Sequence, residues 1–208
     1  MNANETLDTR IIAAELDAAE AQLSKLAPAV SIFGSARIKP DHADYAITIK
    51  LARALSDAGY AVLSGGGPGL MEAANIGAQA GVRESVGLNI YLPHEQNRNP
   101  HQDVVVNFNY FFTRKSMFIR HSCAIICVPG GIGTLDELTE ALTLIQTGKC
   151  HDMPVILFGV AFWTGFVAWY RDVLLARGLI GGEDVDKLYL TDDIAATLAH
   201  IKAFKPAH

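Results

Sequence analysis

Ala124-Ile125-Ile126-Cys127-Val128 followed by Pro129-Gly130-Gly131-Ile132-Gly133-Thr134-Leu135-Asp136-Glu137 is the stretch that decides the fold. A short apolar run opens on a glycine-rich turn, and an amphipathic segment near 134–147 follows, so the order is strand, turn, helix. Glycines let a backbone approach a ligand closely and turn its N–H groups inward. The start of a helix adds unpaired donors and a partial positive charge, a combination that suits a phosphate. The same turn also has a purely structural reading, as a tight strand-to-helix connection.

Outward from this unit the alternation repeats. Strands are expected at Val30–Phe33, Tyr60–Leu63, Ser85–Asn89, Val104–Asn107, Ala124–Val128 and Val155–Phe158. Helices are expected near 41–58, 69–80, 111–121, 134–147, 162–176 and 192–203. Repeated β-α alternation implies a parallel sheet covered by helices on both faces, a doubly wound, Rossmann-like α/β architecture. Ahead of it, Ile12, Leu16, Ala19, Leu23 and Leu26 recur at helical spacing until Pro28. Residues 1–28 therefore read as an N-terminal helical extension and 29–208 as one Rossmann-like domain. The extension fits a helix docked on its own domain and a subunit contact equally well.

Composition narrows the function. The 208 residues are 50% hydrophobic and 19% charged, enough for one generous domain, with a formal charge of −5. That charge argues against a general nucleic-acid binder, and against a DNA-processing protein built on a similar sheet. It does not exclude a nucleotide, whose pocket needs only local donors. Cys123, Cys127 and Cys150 form no C-x-x-C and read as small buried hydrophobes. The polar, acidic opening from Met1 to Arg10 is no signal peptide, and no apolar run is long enough to span a membrane, so a cytoplasmic protein is expected.

In such sheets ligands bind beyond the carboxyl ends of the strands. The strand exits are Gly34-Ser35-Ala36-Arg37, Ser64-Gly65-Gly66-Gly67-Pro68-Gly69-Leu70-Met71, Leu92-Pro93-His94-Glu95, and the Pro129 turn. Neither glycine turn is a dinucleotide fingerprint: Gly131-x-Gly133 is followed three residues on by Asp136, and Gly65-x-Gly67 by Leu70. A P-loop fails as well, because Gly148-Lys149 has Thr143 where a glycine is required and Cys150 after it. His94 and His101 lack metal-ligand spacing, and no G-x-S-x-G elbow is present.

Thr134-x-x-Glu137 has the form of a capping box, with Thr134 capping the helix and Glu137 reaching back to a backbone N–H. The same carboxylate, one turn from a phosphate site, could instead face a bound sugar. Glu140, three residues on, shares its face, and Glu72 is a helix-start carboxylate of electrostatic value. Arg114 and Lys115 lie among aromatics in Asn109-Tyr-Phe-Phe-Thr-Arg-Lys-Ser-Met117. They are either a solvated pair or an anion clamp, a role Arg37 could also serve.

With Gly65-Gly-Gly-Pro-Gly-Leu-Met71 and Pro129-Gly-Gly-Ile-Gly-Thr-Leu-Asp-Glu137 laid out, the chain resembles the Lonely Guy (LOG) family of cytokinin-activating phosphoribohydrolases. That family's second motif, P-G-G-x-G-T-x-x-E, is matched at every fixed position. The resemblance runs from about Val30 to the C-terminus and includes Arg114-Lys115. Members were often labelled lysine decarboxylases, yet no feature here points to pyridoxal phosphate, and no cofactor or metal is implied.

The resemblance implies hydrolysis of AMP or an N6-modified AMP to free base and ribose 5-phosphate. It implies Arg114 and Glu137 as the catalytic pair. Substrate contacts would come from Ser35, Arg37, Gly66, Gly67, Met71, Glu95, Lys115, Pro129, Gly130, Gly131, Ile132, Gly133, Thr134 and Thr143. The family more often has Arg directly before the residue matched by Glu95, where this chain has His94. The added N-terminal helix is similar to the larger bacterial subgroup, which implies a homodimer at least and assembly up to a hexamer. Related carriers, such as molybdenum-cofactor carrier proteins, hold nucleotides on similar turns without cleaving them. The Arg114–Glu137 pair is what a carrier would not need.

Overall fold

The computed structural model describes residues 7–92 and 98–205. Its strands are β1 (Ala29–Phe33), β2 (Ala61–Ser64), β3 (Ser85–Ile90), β4 (Val104–Phe108), β5 (Ser122–Cys127), β6 (Val155–Phe158) and β7 (Leu188–Thr191). All pairings are parallel, in the order β4-β3-β2-β1-β5-β6-β7. The helices are α1 (Thr9–Leu23), α2 (Ala43–Asp57), α3 (Leu70–Gln79), α4 (Phe111–Arg120), α5 (Ile132–Gln146), α6 (Val160–Trp169), α7 (Gly182–Asp186) and α8 (Ile194–Ala203). A π-helical turn, Tyr170–Leu175, continues α6. The doubly wound α/β architecture expected from the sequence is the one observed.

Successive side chains of a strand face opposite ways, and here both faces are covered. From β1, Ala29 and Phe33 join one core with Phe118, Leu138 and Trp163, beneath α1, α4, α5 and α6. Val30 and Ile32 join the other, with Leu51, Leu70 and Ile201 beneath α2, α3 and α8. The one polar residue of β1, Ser31, is satisfied in the interior by Ser122 of β5, oxygen to oxygen at 2.6 Å.

The chain runs outward from β1 through β2 and β3 to β4, then crosses back to β5 on the other side of β1. This reversal opens a crevice beyond the carboxyl ends of β1 and β5. Three exits are stitched together there by backbone bonds: Ser35 N donates to Pro129 O at 3.1 Å, and Leu70 N donates to Ser35 O at 2.9 Å. Gly34 fits this junction because a Cβ would stand 2.5 Å from Val128 Cγ2.

Helix α1 packs on its own chain, with Ala19 and Leu23 buried in the first core and Leu16 and Leu26 against it. It ends at Leu23, and Leu26 packs from the turn before Pro28. Two elements have no counterpart among the sequence expectations. The edge strand β7 is four residues, three of them half-buried, and α7 is five residues long, so neither is long enough to carry a clear periodic signal. Among the described residues no helix is long and apolar enough to cross a membrane, and no cluster of potential ligands could hold a metal ion.

Candidate active site

Helix α5 begins earlier than the capping-box pattern implies. Its N-cap is Gly131, which places Ile132, Gly133 and Thr134 in the first turn, and no side chain caps it. The reading of Thr134 as the cap is therefore corrected: its buried side chain folds over Gly130, where a Cβ would lie 2.1 Å from Thr134 Oγ1. Glu137 does not reach back to the backbone either, because its carboxylate is engaged elsewhere. First-turn N–H groups have no carbonyl four residues back. Those of Ile132, Gly133 and Thr134 find no partner among the described residues.

Gly130 has a structural reason, since Thr134 occupies its Cβ space. Gly131 and Gly133 have none within the chain, because a Cβ on either would meet nothing within 4 Å and neither has a positive φ. Ile132 between them is 83% exposed. Glycine in a helix costs roughly 0.5–1 kcal/mol relative to alanine, so Gly133 is a cost the fold alone does not require. An uncovered rim of N–H groups with no side chains in the way is a seat for an anion.

Across the crevice, the β2 exit needs its glycines for conformation. Gly66 and Gly69 sit at φ +69° and +68°, where a side chain would be strained. Met71 lies over the loop, its sulfur 2.6 Å from where a Gly65 Cβ would be and its methyl 2.8 Å from a Gly67 Cβ. A buried polar network fixes the loop from behind. Ser64 Oγ donates to Asn75 Oδ1 at 2.6 Å, Asn99 Nδ2 to Gly67 O at 2.9 Å, and Gln102 Nε2 to Gly66 O at 2.9 Å.

Helix α4 brings the cations. Arg114 is buried, flanked by the rings of Phe111 and Phe118 at 5.3 and 5.7 Å, which are its neighbours at helical spacing. Its Nη2 donates to Glu137 Oε1 at 3.0 Å. Its Nε is buried without a hydrogen-bond partner among the described residues. Lys115 is committed differently: its ammonium lies 3.0 Å from Asp136 and 2.9 Å from Glu140. Glu140 thus takes Lys115, and does not share the role of Glu137.

Glu137 is nearly enclosed, and burial pushes its carboxyl up from 4.5 to about 7, against the pull of Arg114. Burial likewise pushes Arg114 down while Glu137 holds it up; arginine stays charged throughout the physiological range. The second carboxylate oxygen, Oε2, has no hydrogen bond among the described residues. The site therefore offers a proton-accepting oxygen that titrates near neutrality, beside a fixed cation.

Of the other expected contacts, Ser35 and Pro129 are knitted into the junction, while Arg37 is exposed and makes no ion pair among the described residues. Thr143 stands two turns beyond Glu137 on α5, exposed, its hydroxyl bonded to Thr139 O at 2.7 Å. The fold does not bring it to the glycine turn. Glu95 and His94 lie outside the described residues. Glu72 does more than face a helix start, since it accepts a hydrogen bond from Tyr45 at 2.9 Å. Sequence reasoning missed Glu15, a buried carboxylate of α1 bound to the start of α4. Its only sequence signal is a place four residues before Ala19, on the apolar stripe.

A doubly wound sheet with an uncapped helix N-terminus and a buried acid–arginine pair after β5 defines a Rossmann-like α/β protein. Residues 71–201 match the family model described as "Possible lysine decarboxylase", and the chain belongs to this family, the LOG family. It is 31% identical over 154 residues to the cytokinin riboside 5′-monophosphate phosphoribohydrolase LOG of Oryza sativa subsp. japonica, covering 72% of this chain and 62% of the rice protein. It is 28% identical over 167 residues to the cytokinin riboside 5′-monophosphate phosphoribohydrolase of Mycobacterium tuberculosis, covering 76% of this chain and 86% of that one. The fold is shared with the molybdenum cofactor binding protein of Rippkaea orientalis, at TM-score 0.58 and 23% identity over 85% of this chain and 96% of that one.

Proposed function

We propose that the protein hydrolyses the N-glycosidic bond of AMP or an N6-modified AMP, releasing the free base and ribose 5-phosphate. The observation that carries this reading is the Arg114–Glu137 pair, 3.0 Å apart, with Glu137 on α5 little more than one turn past its uncapped N-terminus. In this reading the 5′-phosphate sits on the N–H groups from Gly131 to Thr134, where the chain keeps both space and donors. Arg114 binds the phosphate or ribose and fixes the direction of the scissile bond. Breaking C1′–N9 leaves positive charge on the sugar and negative charge on the purine. Glu137 Oε2 takes a proton from the attacking water as its oxygen bonds to C1′. The departing purine anion takes one proton at nitrogen from solvent, and Glu137 returns its proton to solvent, so the net reaction splits one water between sugar and base. A carboxyl near 7 suits that work, because a base is most effective with a pKa close to the working pH. No metal or cofactor enters the scheme.

A homodimer forms part of the same proposal. Helix α6 is apolar almost all round yet buries only Trp163, and leaves Phe162 and Trp169 half exposed. A soluble helix of that composition is normally covered. Sedimentation showing a stable, active monomer would remove the dimer. The substrate is a cytoplasmic metabolite, in keeping with the cytoplasmic location read from the sequence.

The fold shared with a molybdenum cofactor binding protein favours a second reading, a carrier that holds a nucleotide intact. Incubation with AMP and with isopentenyladenosine monophosphate, followed by chromatography, separates the two. Free adenine or free cytokinin supports the hydrolase, and nucleotide recovered whole supports the carrier.

A further inference from the structure

Helix α4 carries Arg114, but its own N-terminus is poorly finished. The N-cap is Tyr110, and no side chain of α4 or its leader caps it. A remote carboxylate ties this segment down from another helix. Glu15 of α1, only 7% exposed, accepts from Asn109 N at 2.8 Å and from Asn109 Nδ2 at 3.1 Å through Oε2. Its Oε1 accepts from the hydroxyl of Thr113, the residue directly before Arg114. Negative charge at a helix start also favours the helix dipole. Nearby, Asp8 N donates to the hydroxyl of Tyr110 at 3.2 Å. At the far end, Glu20 takes Arg120 at 2.9 Å and His121 at 3.1 Å. Helix α1 thus grips α4 at both ends, and at the end that matters it does so with a buried charge.

We propose that Glu15 is a positioning residue for the active site: by tying Asn109 and Thr113, on either side of the α4 N-cap, to α1, it fixes the turn that carries Arg114 to Glu137. This rests on the reading of Arg114 and Glu137 as the reacting pair. A plain stability role for α1 would be met by its apolar contacts, Leu16, Ala19 and Leu23. A carboxylate with both oxygens engaged on one short segment sets the angle and register of that segment.

The test compares Glu15→Leu, which keeps the bulk and apolar packing but strands the donors of Asn109 and Thr113, with Glu15→Gln, which retains an acceptor. Leu23→Ala, which loosens the apolar packing of α1 without touching the bonds of Glu15, is the control. All are measured well below their melting temperatures. Base release from AMP is expected to fall roughly 10- to 100-fold in Glu15→Leu, the scale of an ångström-level misplacement. It should return to within about fivefold of wild type in Glu15→Gln, and stay unchanged in Leu23→Ala. A second readout does not need turnover: carbon-13 NMR of the Glu137 carboxyl, which Arg114 of α4 and Lys115 beside it hold down and Asp136 of α5 pushes up. Its midpoint should rise by about half a unit or more in Glu15→Leu as Arg114 swings away, and hold in Leu23→Ala. Activity and midpoint in Glu15→Leu equal to those of Leu23→Ala would overturn the positioning role. A wild-type protein that releases no base would instead sink the hydrolase reading, while the NMR midpoint would still decide the role of Glu15.

Discussion

The raised carboxyl of Glu137 makes stability and activity move in opposite directions with pH. In the unfolded chain this group titrates near 4.5; in the folded protein burial holds it to about 7. Between those values the folded state binds the extra proton, so its contribution to stability is complete below 4.5 and is lost as pH rises through 7. With one unit equal to about 1.4 kcal/mol, raising the pH from 5 to 8 should remove about 2 to 3 kcal/mol through this group alone. Glu137→Gln cannot titrate, and its amide oxygen can still accept from Arg114. Urea unfolding at pH 5, 6, 7 and 8 should therefore show the difference between wild type and variant changing by about 2 to 3 kcal/mol in that direction. Over the same range wild-type kcat/KM should climb with a midpoint near 7 and level off above it, as the base ionises in the free enzyme. A stability difference independent of pH would refute both the burial argument and the assignment of the base.

Gly133→Ala should uncouple fold from ligand. With nothing within 4 Å of the new methyl and a helical backbone, the variant should be more stable by roughly 0.4–1 kcal/mol in thermal unfolding. Calorimetric titration should nevertheless show AMP bound at least about tenfold more weakly, because the methyl crowds the phosphate seat; unchanged affinity would move the phosphate elsewhere. Arg114→Ala removes the partner of a buried carboxylate, so the Glu137 midpoint should move above 7 and base release should fall by about a hundredfold or more. Activity within a few-fold of wild type would take Arg114 out of the mechanism.

The sheet was legible in the sequence because its strands are short apolar runs between glycine turns, and β1, β2, β5 and β6 are buried on both faces or nearly so. β7 escaped because an edge strand of four residues, three of them half-buried, carries neither a continuous run nor a clean alternation. The capping box misled for a physical reason. Thr134 and Glu137 have the right spacing, but the helix starts at Ile132, because two glycines that read as turn residues are its N-cap and second residue. Glu15 was hidden by its type: an acid on an amphipathic helix reads as solvated until the partner strand and helix bring Asn109 and Thr113 against it. The meeting of Arg114 with Glu137 is likewise a product of the β4–α4–β5 crossover, and spacing along the chain does not reveal it.

Release of free base is the measurement that bears most directly on the account. Wild-type protein, Glu137→Gln and Arg114→Ala are each incubated with AMP and with isopentenyladenosine monophosphate, and the mixtures are resolved by chromatography. Equal amounts of base and ribose 5-phosphate from the wild type, with base release lost in both folded variants, is the result expected. Nucleotide recovered intact from the wild type, or full release by Glu137→Gln, would contradict it.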